Sequence, residues 1–143
     1  NLSFAGLKTA VLKISKQIKT DQEKYDLAAS FQKTIEKILY KKSMIAFEEF
    51  KKMNPDNKNK FVVAGGVAAN KKIREILTNL CVEKGFEAIF PPIELCGDNA
   101  AMVAMFGLEK FKLKQFSELD SPAKPRWPLD EDAIFLKGAG VRL

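Results

Sequence analysis

The sequence contains no histidine. That absence removes the side chain that titrates nearest neutrality, and with it the default general base and the commonest metal-binding group. It also excludes the His-Glu-x-x-His signature of a zinc protease. Cysteine is scarce as well. Cys81 and Cys96 lie far apart and at no metal-ligand spacing, so a reducing, cytoplasmic setting is expected. No apolar run is long enough to cross a bilayer, and no membrane partner is expected. The chain shows no signal peptide and no initiating Met, which suggests a piece of a longer protein. The P-loop pattern and the dinucleotide fingerprint are both missing, and no internal repeat stands out.

What is present is a basic first half. Residues 1–60 hold 13 Lys against 7 Asp and Glu, a net of +6, whereas residues 61–143 hold 11 Lys and Arg against 11 Asp and Glu. Such a bias attracts nucleic acid. Its plainer meaning is a set of solvated lysines on amphipathic helices, because the lysines are spaced rather than clustered. The length of 143 residues suits one compact domain.

Periodicity places the elements. Leu7, Ala10, Val11, Ile14 and Ile18 predict a helix from about Gly6 to Lys19. Thr20 and Glu23 have capping-box spacing and open a longer helix carrying Leu27, Phe31, Ile35, Ile38, Ile45 and Phe50, with a break expected near Lys41-Lys42-Ser43. The turn cluster Asn54-Pro55-Asp56-Asn57 ends it. Lys60 to Ala64 reads as a buried strand. Ile73, Ile76, Leu77, Leu80 and Cys81 form a helix stripe stopped at Gly85, and Phe86 to Phe90 reads as a second strand. Strand, helix and strand at these lengths predict a parallel pair. Asn99 to Phe111 is apolar on nearly every side, which predicts a buried helix. Residues 117–132, rich in Pro and charge, read as a surface tail.

Three segments carry candidate chemistry. The first is Val62-Val63-Ala64-Gly65-Gly66-Val67-Ala68-Ala69-Asn70, an apolar run entering a glycine pair ahead of a helix. Such a turn lets a ligand approach bare backbone, and a helix start offers N–H groups to an anion. Its alternative is an ordinary strand-to-helix turn. Asn70 suits either a helix cap or a ligand contact. Lys71, Lys72 and Arg74 in the first helical turn oppose the helix dipole by roughly 0.3–1 kcal/mol each when exposed, a cost that phosphate, RNA or plain solvent would offset. The second segment is Glu94-Leu95-Cys96-Gly97-Asp98-Asn99-Ala100-Ala101-Met102. Asp98 sits at a natural N-cap position, with metal ligation as the alternative. One carboxylate cannot hold a catalytic metal alone. The third is Ser3-Phe4-Ala5-Gly6-Leu7-Lys8-Thr9, which alone reads as a helix start.

Together the three segments resemble a known family. Leu2-Ser3-Phe4-Ala5-Gly6-Leu7-Lys8-Thr9 is similar to its Phe-Ser-Phe-Ser-Gly-Leu-Lys-Thr element, and Gly65-Gly66-Val67-Ala68-Ala69-Asn70 to its Gly-Gly-Val-Ala/Ser-Ala-Asn element. Cys96-Gly97-Asp98-Asn99-Ala100-Ala101-Met102 is similar to its Cys-Thr-Asp-Asn-Ala-Ala-Met element, and Pro125-Arg126-Trp127-Pro128-Leu129-Asp130 to a tail common in bacterial members. The family is the tRNA adenosine threonylcarbamoyltransferases, TsaD, formerly described as O-sialoglycoprotein endopeptidases.

The resemblance implies an α/β, helix-rich C-terminal lobe of an actin/Hsp70-like (ASKHA) fold over residues 1–116, followed by a tail over residues 117–143. It implies transfer of threonylcarbamoyl from its adenylate to the exocyclic amine of the tRNA adenosine beside the anticodon. The implied partners are tRNA, threonylcarbamoyl-adenylate, an inactive paralogue of the same fold and a small ATPase. By motif, Asn70 would contact the adenylate, Gly65 and Gly66 would pass close to it, and Asp98 would ligate one divalent metal ion, iron or alternatively zinc or magnesium. The family's His-x-x-x-His pair is missing here, so the chain alone is expected to be inactive. No catalytic base is assigned. Gly97 stands where many members have Thr, which would loosen the turn that aims Asp98. The rival readings are a metallo-glycoprotease and a non-catalytic RNA-binding or protein-binding module.

Overall fold

The computed structural model describes residues 4–56 and 58–123. Helix α1, Ala5–Ser15, is shorter than its apolar periodicity predicts and leads through a turn into α2, Asp21–Met53. The expected capping box is present. Thr20 Oγ1 accepts from the Glu23 amide at 3.2 Å, and Glu23 Oε2 accepts from the Thr20 amide at 3.1 Å and the Lys19 amide at 2.7 Å. These backbone donors, Lys19 first and then Thr20, favour the ionised carboxylate and lower the Glu23 pKa. A depressed folded pKa stabilises the fold above the unfolded value, and that contribution is lost as pH falls through the folded one. The stability lost between about pH 5 and pH 3 should therefore be smaller in Glu23→Gln than in the parent, as read by urea unfolding at each pH. Equal losses would show that the box does not couple to pH.

The break expected near Lys41-Lys42-Ser43 does not occur, and α2 runs unbroken for 33 residues. No Gly or Pro interrupts it, and its straight-chain residues favour helix. Tyr40, Met44 and Phe47 anchor that stretch to the core on either side of the lysines.

Strand β1, Lys60–Val62, pairs in parallel with β2, Glu87–Ile89, in the register Lys60↔Glu87, Phe61↔Ala88 and Val62↔Ile89. Helix α3, Lys71–Lys84, is the crossover between them. The parallel pair is as expected. The expected burial of the first strand is not: Lys60 and Val62 are exposed and Phe61 half-buried. Lys60 and Val62 share a face of β1, and nothing among the described residues buries that face. Gly85 ends α3 in the left-handed region at φ 68°, and the Phe86 amide closes the helix end on the Cys81 carbonyl at 2.7 Å. That closure turns Phe86 inward.

The core lies where α2 meets α3 and the sheet. Phe47, Leu80, Cys81 and Phe86 are buried together, flanked by Tyr40, Met44, Phe61 and Ala88. Phe47 stacks on Phe86 with ring centroids 4.0 Å apart and meets the edge of Phe61 at 4.8 Å. Cys81 is packing, as its helix stripe predicts, and burial pushes its thiol pKa up.

Helix α4, Ala100–Lys112, corrects two expectations. Its cap is Asn99, whose Oδ1 accepts from the Met102 amide at 2.9 Å, and not Asp98. Every residue of α4 is exposed, including Met102, Val103, Met105, Phe106 and Phe111. An all-round apolar helix needs covering surfaces on several sides, and the described residues provide none. Residues 117–123 are exposed, with neither helix nor strand. The remainder of the expected tail, with the Pro125–Asp130 motif, lies outside the described residues.

Candidate functional site

The glycine pair does not open directly onto α3. A 3-10 turn, Gly66–Ala69, intervenes, and α3 begins after Asn70. Gly65 takes φ 90° and ψ 171°, a backbone that side-chain-bearing residues rarely adopt. Gly66 has no such conformation, and a Cβ added there would meet nothing within 4 Å. Neither strain nor packing among the described residues requires glycine at 66, so its bare backbone is open to approach.

The expected anion site at the helix start is already filled. Asn70 Oδ1 accepts from the Lys72 amide at 3.0 Å and the Ile73 amide at 3.1 Å. Asn70 is therefore the cap of α3, and it also pairs with α2. Its Nδ2 donates to Gln32 Oε1 at 3.1 Å, and Gln32 Nε2 donates back to Asn70 Oδ1 at 3.2 Å. Gln32 Nε2 also donates to Glu36 Oε1 at 3.1 Å, which satisfies a carboxylate only 8% exposed, and Lys33 Nζ adds an ion pair at 3.6 Å. This network fixes the first turn of α3 against the long helix. Among the described residues it leaves one Asn70 Nδ2 hydrogen uncommitted.

Gly66 and Asn70 line one cleft of about 560 Å³, together with Phe4, Phe31, Gln32 and Ile35. Two of the motif segments thus converge, the third-named contributing Phe4. The cleft walls are mainly apolar, with polar groups gathered at the Gln32–Asn70 end, the usual character of a small-molecule site.

Two of the three cations of the first α3 turn, Lys72 and Arg74, have partners within the protein. Lys72 pairs with Glu75 at 2.8 Å. Arg74 folds back from the helix: its Nε donates to the Ala68 carbonyl, and its Nη2 to the Pro91 carbonyl at 2.6 Å and to Cys96 Sγ at 3.1 Å. Its guanidinium lies over the Phe90 ring, 4.9 Å from the centroid. Arg74 therefore needs no phosphate to offset the dipole.

Asp98 stands apart from the cleft-lining residues. It is exposed, and its carboxylate makes no hydrogen bond or ion pair with the described residues. No group of three or more His, Cys, Asp or Glu gathers among them. The residues present fit one oxygen ligand of a divalent cation, and other ligands would have to be supplied from elsewhere. A Cβ at Gly97 would meet nothing within 4 Å, so packing among the described residues does not require glycine there.

Sequence reasoning missed Gln32 and the role of Arg74. Gln32 carries no local signal, since it lies 38 residues from its partner. Arg74 did leave one: a cation opposing the dipole with no acidic residue in the first turn.

Comparison with known proteins agrees with the motifs. The family described as "TsaD: tRNA N6-adenosine threonylcarbamoyltransferase" matches residues 1–105. A protein of Pelagibacter ubique named tRNA N6-adenosine threonylcarbamoyltransferase is 90% identical over 143 residues, covering 100% of this chain and 40% of its own length. Proteins of the same name from Chelativorans sp. and Rickettsia canadensis are 46% and 47% identical, covering 99% and 92% of this chain and 41% and 39% of theirs. The chain thus spans about two-fifths of the length of the curated relatives it matches. With a matched stretch that includes both the Gly65–Asn70 turn and Asp98, the chain belongs to the TsaD family of tRNA N6-adenosine threonylcarbamoyltransferases.

Proposed function

We propose that this chain forms one wall of the active cleft of a tRNA threonylcarbamoyltransferase, within the C-terminal lobe of an ASKHA fold and in the cytoplasm. The observation that carries the reading is the meeting of bare Gly66 backbone and the Asn70 amide in one cleft. Threonylcarbamoyl-adenylate is the proposed occupant. Gly66 lets it lie against the main chain, and the remaining Asn70 Nδ2 hydrogen donates to it. The tRNA adenosine amine forms a bond to the carbamoyl carbon, the bond from that carbon to the adenylate phosphate breaks, and the amine proton is released with AMP. A divalent metal ion, iron or alternatively zinc or magnesium, supplies Lewis-acid polarisation when bound, with Asp98 as this chain's ligand. The inactive paralogue and the small ATPase belong to the same proposal as partners of the whole protein.

The test is product formation on tRNA from threonylcarbamoyl-adenylate, read by nucleoside mass spectrometry. The full-length protein should form product and the 143-residue chain none, because the sequence has no His and the described residues gather no group of metal ligands. Asn70→Ala should raise the adenylate KM about tenfold, as expected for one lost hydrogen bond to a charged ligand. Because it also uncaps α3, at a cost of about 1 kcal/mol, stability is followed in parallel. Glycoprotein cleavage without tRNA product would overturn the reading.

A further inference from the structure

The two candidate segments are carried on different parts of the fold. Gly66 and Asn70 precede α3, whereas Asp98 follows β2 and the short 3-10 turn Ile93–Leu95. No backbone ladder joins them, because the parallel pairing ends at Val62↔Ile89 and one further bond, from the Val63 amide to the Ile89 carbonyl. The side chain of Arg74 spans the gap. Arg74 grips the Ala68 carbonyl on the glycine side and the Pro91 carbonyl and Cys96 Sγ on the Asp98 side, with Phe90 beneath its guanidinium. Cys96 is 3% exposed, so the anchor lies two residues from Asp98 and inside the protein.

We propose that Arg74 is a positioning residue that fixes the loop carrying Asp98 in register with the turn carrying Gly66 and Asn70. This rests on the function proposed above. A planar guanidinium donates along several fixed directions at once, and a lysine ammonium at the same place keeps the charge without the fork. Small misplacements of reacting groups cost up to about 100-fold in rate.

The experiment compares Arg74→Lys and Arg74→Met with the parent in the full-length protein. Hydrogen exchange follows the Leu95 and Cys96 amides, which bond to the Pro92 and Ile93 carbonyls. In both variants these amides should exchange at least about tenfold faster, while amides of the second half of α3 keep their protection. Transfer kcat should fall about 10- to 30-fold with the tRNA KM within about twofold, since a positioning fault leaves tRNA binding intact. Cys96→Ser, which keeps an acceptor for Arg74, should stay within about threefold of the parent in kcat. Unchanged exchange at Leu95 and Cys96, or kcat within about twofold in Arg74→Met, overturns the proposal. So does loss of protection throughout α3 in both variants, because Arg74 would then serve the whole fold. If the parent forms no product yet the exchange changes are local, the proposed function fails while the mechanical link survives.

Discussion

Asp98→Ala in the full-length protein is expected to lower threonylcarbamoyl transfer by at least about 100-fold, equivalent to roughly 2.7 kcal/mol of barrier. Loss of partners that merely orient a metal ligand already costs about 10- to 100-fold in affinity or activity, and removal of the ligand itself should cost no less. The same substitution should change stability by less than about 0.5 kcal/mol. Asp98 is exposed, bonds to nothing among the described residues, and leaves the capping of α4 to Asn99. Asn99→Ala makes the contrast, with about 1 kcal/mol of stability lost through the missing cap. Activity within about tenfold of the parent in Asp98→Ala, at unchanged stability, would remove Asp98 from the proposed metal site.

Phe47→Ala is expected to destabilise the protein by about 3–5 kcal/mol, a large share of the 5–15 kcal/mol that typically separates folded from unfolded. The ring is 3% exposed, stacked on Phe86 and edge-on to Phe61. Its loss would open a cavity bounded by α2, α3 and the sheet, which rigid elements cannot collapse to fill. The check is the urea midpoint at constant slope. Phe50→Ala, on the same helix but with its ring 36% exposed and 6.0 Å from Phe86, should cost less than half as much. Similar losses at both positions would show that the Phe47–Phe86 stack is not the centre of the core.

Much of this fold is legible from local chemistry. Thr20 with Glu23, the Ile73–Cys81 stripe, Gly85 and the parallel pairing all act over a few residues or through a short crossover, so spacing reveals them. The failures share a cause. Whether α2 breaks at Lys41, whether β1 is covered and whether α4 is buried are decided by what packs against each element, which periodicity does not encode. Asp98 and Asn99 are both good caps, and only backbone geometry chooses between them. In the candidate site, the glycine turn and Asn70 were readable as candidate positions, each with a structural alternative. Their attachment was not, because Gln32 and Arg74 reach across the fold to partners far away in sequence.

Unbroken, α2 is a rod of about 50 Å at 1.5 Å per residue. It is anchored to the core through Tyr40, Met44 and Phe47 and touches the cleft through Gln32, about 12 Å beyond Tyr40 along its axis. A tilt of about 6° around the Tyr40 anchor moves Gln32 by about 1.2 Å, enough to part its amide pair with Asn70. The helix is thus a lever with the proposed nucleotide wall part-way along its free arm, and a load on its exposed N-terminal third would be felt there as displacement.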